Sequence, residues 1–150
     1  MHEVEVKVDG AVVWRSFAEA VAEPGPQVRN AEDIMIHERF SSIRSMPQEV
    51  FAIATLNGAN KVLNVRWITV GLLDSNQVHP REVFAPAITD RAASIILAHN
   101  HPSGTLQPSP EDMAITNRLI KAGEILGIRV LDHIILTSSG HLSMKLSGHM

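Results

Sequence analysis

The stretch His99-Asn100-His101-Pro102-Ser103-Gly104-Thr105-Leu106-Gln107-Pro108-Ser109-Pro110-Glu111-Asp112 concentrates the chemistry of this chain. His99 and His101 follow an apolar run, Ala93 to Ala98, that reads as a strand buried on both faces. Side chains in an extended strand alternate with a period of 2, so the two imidazoles project to one side while Asn100 points away. Pro102 and Gly104 turn the chain, and a helix start follows at Ser109. Ser109 suits the N-cap, Pro110 the first helical position, and Glu111 and Asp112 the positive end of the helix dipole. Helical side chains lean toward the N-terminus, which aims the Asp112 carboxylate back at the loop it has just left. Two neutral imidazoles and a carboxylate make three ligands with a fourth position open, the pattern of a catalytic rather than a structural zinc site. Solvent in that position has its pKa lowered to roughly 7, so hydroxide becomes available at neutral pH. A Ser-Pro-Glu-Asp string alone marks only a helix start. The joint pattern of two His, Pro, Ser and Asp arises by chance on the order of once in 10⁴ chains of this composition.

The surrounding elements must hold these groups. The helix from Pro110 carries an i, i+4, i+7, i+11 stripe of Ile115, Leu119, Ala122 and Leu126, and Gly127 ends it. Upstream, Val50 to Leu56 and Val62 to Val70 read as strands joined at Asn57-Gly58, and Pro80 opens a helix over about 80–92. Downstream, a strand from Ile128 to Leu136 and a return over Leu142 to Leu146 close the chain. Asn30 is a candidate N-cap for a helix over about 31–45. Residues 3–8 and 11–14 read as a hairpin turning at Asp9-Gly10, with helical signals before the break at Pro24-Gly25-Pro26. The class is mixed α/β with a largely antiparallel sheet flanked by helices. Residues 1–28 are assigned to an N-terminal appendage and 29–150 to the main domain.

Composition narrows the chemistry further. The 150 residues include no cysteine, which excludes a disulfide scaffold, a thiolate metal site and a cysteine nucleophile. A metal must then be held by His, Asp or Glu, and histidine is abundant at 8. A net charge of −3 argues against a general nucleic-acid-binding surface. Arg118, Lys121 and Arg129 form only a modest basic face, read as solvated. His133, after Asp132 on an apolar strand, is expected to pack or to support a ligand without touching metal. His79 is expected in a loop. The polar start and the absence of an apolar run of ~20 residues make cytoplasm the expected location, with no membrane contact.

The letters H-N-H-P-S-G and P-S-P-E-D resemble the JAMM (MPN+) metalloprotease signature, H-x-H-P, six residues, S-x-x-D, with no departure in spacing. The letters H-N-H also occur in HNH nucleases, but there the three residues are dispersed around a ββα unit. Val78-His79-Pro80-Arg81-Glu82-Val83-Phe84, Ile96-Leu97-Ala98-His99-Asn100 and Leu131-Asp132-His133-Ile134-Ile135 are similar to the RadC branch of the JAMM superfamily. The resemblance spans about residues 45–146. It implies an MPN (JAB) α/β fold, similar in general layout to cytidine deaminase, and one Zn2+ held by His99, His101 and Asp112. It also implies a Ser109 hydroxyl that donates to the developing oxyanion, and an upstream glutamate as general base and acid at the start of a strand leading into a hairpin. Glu49, in Pro47-Gln48-Glu49-Val50-Phe51, matches that place. Glu82 competes, although the dipole of its own helix already accounts for it.

The expected activity is zinc-dependent hydrolysis of an amide bond in a protein or peptide substrate, as in a metallopeptidase or isopeptidase. The rival readings are a non-catalytic MPN scaffold and a metal-dependent nuclease or DNA-processing accessory factor. RadC-like proteins have carried a DNA-repair label, and many have an N-terminal helix-hairpin-helix-like region. Residues 1–45 are too short to supply one, so this chain's residues give that label no support. A homodimer is compatible with the sequence.

Overall fold

The computed structural model describes residues 25–35, 37–71 and 78–150, together with the backbone of residues 3–8 and 11–16. The two backbone segments pair as an antiparallel hairpin, β1 (Glu3–Val8) with β2 (Ala11–Ser16). The expected Asp9-Gly10 turn and the helical signals before Pro24 lie outside the described residues. The chain continues through α1 (Ala31–Met35), α2 (Glu38–Ser41) and a 3₁₀ turn (Ser42–Ser45) to β3 (Val50–Leu56) and β4 (Val62–Val70). Then come α3 (Pro80–Thr89), β5 (Ser94–Asn100), α4 (Pro110–Leu126), β6 (Arg129–Leu136) and β7 (His141–Ser143).

Five strands form one sheet in the order β4-β3-β5-β6-β7. All neighbours are antiparallel except β5 and β6, which α4 connects as a parallel crossover. This is the mixed, largely antiparallel α/β architecture expected from the sequence. β3 and β5 are buried along their whole length. Their even-numbered residues, Val50, Ala52, Ala54, Leu56, Ile96 and Ala98, pack against Ile34, Phe40 and Ile43. The odd-numbered Phe51, Ile53, Ile95 and Leu97 pack against Val83, Phe84, Ile115 and Leu119 of α3 and α4. Each such large side chain contributes about 1.5–3 kcal/mol through removal from water. This parity decides the site: His99 falls on the α4 face beside Phe51, its register partner, and Asn100 falls on the other.

Several element bounds differ from expectation. The helix over 31–45 is broken into three short pieces, because His37 adopts an extended backbone (φ −70°, ψ 118°). One anchor per piece, Ile34, Phe40 and Ile43, is buried instead of a continuous stripe. Asn30 does cap the first piece, its side-chain oxygen accepting from the Asp33 amide at 3.0 Å. β5 runs on through Asn100, two residues past the apolar run, because His99 and Asn100 are paired across to Ile135 and Leu136 of β6. β7 stops at Ser143 rather than Leu146, because the Asp132 carboxylate accepts from both the Ser143 hydroxyl and the Lys145 amide. Leu126, the last member of the expected α4 stripe, is exposed, and Gly123 is buried in its place. A Cβ at Gly123 would meet the Ile128 carbonyl oxygen at 2.3 Å and the Phe84 ring at 3.3 Å. Residues 25–28 are tied to the sheet: Gly25 N donates to Val62 O, Val62 N to Pro26 O, and Val28 N to Asn60 O.

α3 ends at Thr89, ahead of the expected 92, where Asp90 leaves the helix. The Arg66 guanidinium grips both Asp90 carboxylate oxygens, and Thr55 Oγ1 donates to the same group at 2.8 Å. The hydrogen bond with Asp90 outweighs burial and raises the Arg66 pKa. Among the described residues, no helix is long and apolar enough to cross a membrane.

Candidate metal centre

His99 and His101 leave the end of β5 on the side of the sheet covered by α4, and Asp112 meets them from the first turn of that helix. Ser109 is the N-cap residue, with extended backbone (φ −80°, ψ 163°), and Pro110 follows at the first helical position. Ser109 Oγ accepts from Asp112 N at 3.1 Å, and Asp112 Oδ2 accepts from Ser109 N at 2.8 Å. This reciprocal cap satisfies two amides that the helix cannot and fixes the carboxylate rotamer. Asp112 Oδ1 lies 3.0 Å from His99 Nε2, and Oδ2 lies 3.1 Å from His101 Nε2. The two Nε2 atoms are 2.9 Å apart.

Three donor atoms thus converge on one point, and the group His99, His101 and Asp112 could hold a metal ion. Neighbouring ligand atoms in a tetrahedral shell with bonds of 2.0–2.1 Å stand about 3.3 Å apart. The two nitrogens, 2.9 Å apart, and the Asp112 oxygen nearest to each, at 3.0 and 3.1 Å, stand close to that spacing.

The second nitrogen of each imidazole decides which atom faces the ion. His101 Nδ1 donates to the Thr105 carbonyl at 2.5 Å, which leaves a lone pair on Nε2. His99 is set by a longer chain. Thr116 Oγ1 donates its single proton to the Asp112 carbonyl at 2.7 Å, so it accepts from His133 Nδ1 at 2.5 Å. His133 Nε2 then has only a lone pair, and accepts from His99 Nδ1 at 2.7 Å. His99 Nε2 is left as the free ligand atom. Phe51 closes this chain from the sheet, stacked on His99 at 6.3 Å and edge-on to His133 at 5.6 Å.

In the ion-free chain, protons on the imidazole Nε2 atoms can take the place of the ion and bond to Asp112. Burial, reinforced by the neighbouring His99, pushes His133 well below the ordinary imidazole range, so it stays neutral. Burial opposes ionisation of Asp112, but hydrogen bonds from His101 and His99 outweigh it and hold the carboxyl well below the usual range. The hydrogen bond with Asp112 raises the His101 pKa against its partial burial, helped by the Thr105 carbonyl and the charge of Glu49.

The cluster opens into a cleft of about 780 Å³. Its walls include Gln48, Glu49, Gly71, Ser103, Gln107, Ser109 and Glu111 beside His101 and Asp112, and among the described residues no Lys or Arg lines it. Glu49 is half-buried on this wall, just before β3. Glu82 does not line the cleft; it is exposed in the first turn of α3 beside Arg81. His79 caps α3, its Nδ1 accepting from Arg81 N at 3.3 Å. Thr105, Thr116 and Asn100 did not stand out in the sequence. Thr116 had a usable signal, since it lies four residues after Asp112 on the same helix face.

Residues 28–149 match the RadC-like JAB domain, and the chain belongs to that family. A UPF0758 protein of Methanospirillum hungatei is 47% identical over 124 residues, 83% of this chain and 55% of the relative. A UPF0758 protein of Desulforamulus reducens is 46% identical over 146 residues, 95% of this chain and 63% of the relative. One of Rubrobacter xylanophilus is 51% identical over 106 residues, covering 71% and 46%. The chain thus spans about half of the length of the curated relatives it matches.

Proposed function

We propose that this chain is a zinc-dependent hydrolase of amide bonds, acting on a protein or peptide. The observation that carries the reading is the meeting of His99 Nε2, His101 Nε2 and an Asp112 carboxylate at the floor of an open cleft, with a second carboxylate, Glu49, on its wall. Imidazole and carboxylate donors suit zinc, and three protein ligands leave a coordination position for chemistry. When bound, zinc supplies Lewis acidity, which activates solvent and polarises a carbonyl oxygen.

The chain's own residues do the rest. Glu49 takes a proton from the attacking water and delivers it to the leaving amine, a task typically worth 10²–10⁴ in rate, or roughly 3–5 kcal/mol of barrier. The Ser109 hydroxyl accepts from Asp112 N, so its own proton is free to steady the oxygen of the attacked carbonyl. A cleft walled by Glu49, Glu111 and Asp112, and among the described residues by no Lys or Arg, offers a phosphodiester no such cation to pair with and admits a neutral or cationic peptide. This speaks for an amide over a nucleic acid.

The test loads the purified chain with zinc and measures cleavage of a peptide and isopeptide library, alongside metal content. Glu49→Gln is expected to retain zinc and to lose activity by about 10²–10⁴-fold. Zinc bound without cleavage of any amide would favour a scaffold, and cleavage undiminished in Glu49→Gln would remove Glu49 from the reaction.

A further inference from the structure

Asn100 stands between the two imidazole ligands, yet its side chain turns to the opposite face of β5 and is fully buried there. Its Nδ2 donates to the Met46 carbonyl at 3.1 Å and the Gln48 carbonyl at 3.0 Å, and its Oδ1 accepts from Val50 N at 2.6 Å. Two of these three backbone groups flank Glu49 directly. The Glu49 carbonyl is itself held, accepting from Gly71 N at 2.8 Å. The backbone that carries the carboxylate is therefore fastened before, at and after that residue.

The segment leading to β3 is irregular and has no ladder of its own for its buried polar groups. A primary amide provides two donors and an acceptor from one short side chain, and neither a carboxylate nor a hydroxyl matches that set. We propose that Asn100 is a positioning residue, which couples the strand bearing His99 and His101 to the segment bearing Glu49 and so sets the carboxylate against the metal centre. The inference rests on the reading of Glu49 as the base. Residues 99, 100 and 101 then form one ruler: the outer two hold the ion, and the middle one holds the group that must work beside it. Such registration matters because a displacement of about 1 Å can cost 10²-fold in rate.

The test uses cobalt(II) in place of zinc in the full chain and follows the visible absorption of the metal against pH. Glu49→Gln sets the scale, since a carboxylate beside the ion changes the midpoint of that transition. Asn100→Asp keeps the shape and the acceptor but loses both donors, and Asn100→Ser serves if a buried carboxylate prevents folding. Both are expected to bind one cobalt ion per chain. Each should displace the midpoint in the same direction as Glu49→Gln and by at least about half as much, and each double variant with Glu49→Gln should sit at the Glu49→Gln midpoint and not beyond it, since groups acting as one unit are not additive. A residue that only stabilises the start of β3 would lower the melting temperature and leave the midpoint where it is in the wild type, which would overturn the proposal. Full additivity would overturn it as well. A Glu49→Gln midpoint equal to that of the wild type would instead sink the reading of Glu49, and this inference with it.

Discussion

Two carboxylates with little exposed side chain are treated in opposite ways in this fold. Asp90 is closed: the Arg66 guanidinium takes both oxygens and the Thr55 hydroxyl adds a third hydrogen bond. Asp112 faces two imidazole nitrogens at 3.0 and 3.1 Å whose other ring nitrogens are already committed, so lone pairs of all three side chains aim at one point. The first arrangement neutralises a charge with a residue that is always cationic. The second assembles acceptors around a place for a cation that the chain does not itself contain, beside an open cleft. A sheltered carboxylate is common to both; what separates an ion pair from a candidate metal centre is whether the partner is a permanent cation or an imidazole that can shed the proton it turns to the carboxylate.

The largest effect that would break this contrast comes from removing ligands. His99→Ala or Asp112→Ala should weaken zinc binding by more than about 100-fold, beyond what loss of a supporting residue costs. The matched Asp90→Ala should leave zinc affinity unchanged and lower stability by about 1–3 kcal/mol, reduced by the partial exposure of Arg66. Metal analysis and urea denaturation distinguish them, and an Asp90 variant that lost zinc would erase the distinction.

A smaller effect should follow from Thr116→Val, which removes the anchor that fixes the tautomers of His133 and His99 while leaving every ligand in place. Zinc affinity, measured by chelator competition, should fall about 10–100-fold. No change would mean that the proton chain through His133 does not orient His99.

The smallest effect is on the pH dependence of the zinc-free chain. His133 is lowered chiefly by burial, so below the ordinary value of 6.5 the unfolded chain binds a proton there that the folded chain refuses. Its contribution is therefore intact above that value and is lost as pH falls toward the folded pKa. His101, raised chiefly by Asp112, acts in the other direction: its contribution is present below 6.5 and is lost as pH rises through the folded value. His133→Gln should flatten the loss of stability on acidification from 6.5, read from urea midpoints in the presence of a chelator. An unchanged slope would contradict the burial of a neutral His133.

Much of this centre was legible in the sequence because it is local. The period of a strand puts His99 and His101 on one side, and the lean of a helical side chain aims Asp112 back at them; neither argument needs the rest of the fold. The N-cap at Ser109 was legible for the same reason. What was not legible is long-range. Asn100 reaches backbone atoms some fifty residues earlier, and nothing in the letters around it reports that the segment before β3 will lie there. The strand order β4-β3-β5-β6-β7 likewise depends on pairing between distant segments. Leu126 fitted a helical period but fell beyond the helix's contact with the sheet, and its exposure shows that periodicity proposes a face without saying where that face ends.

Gly123 gives α4 a property that reaches the metal centre from afar. The helix seats against the Ile128 carbonyl only because that position carries no methyl group, and at 1.5 Å per residue it lies about 16 Å along the axis from Asp112. A rigid rod lifted at its rear swings at its front. Gly123→Ala is expected to drag Asp112 away from the two imidazoles at the end of β5, so any affinity for metal should depend on a seam far from the candidate ligands.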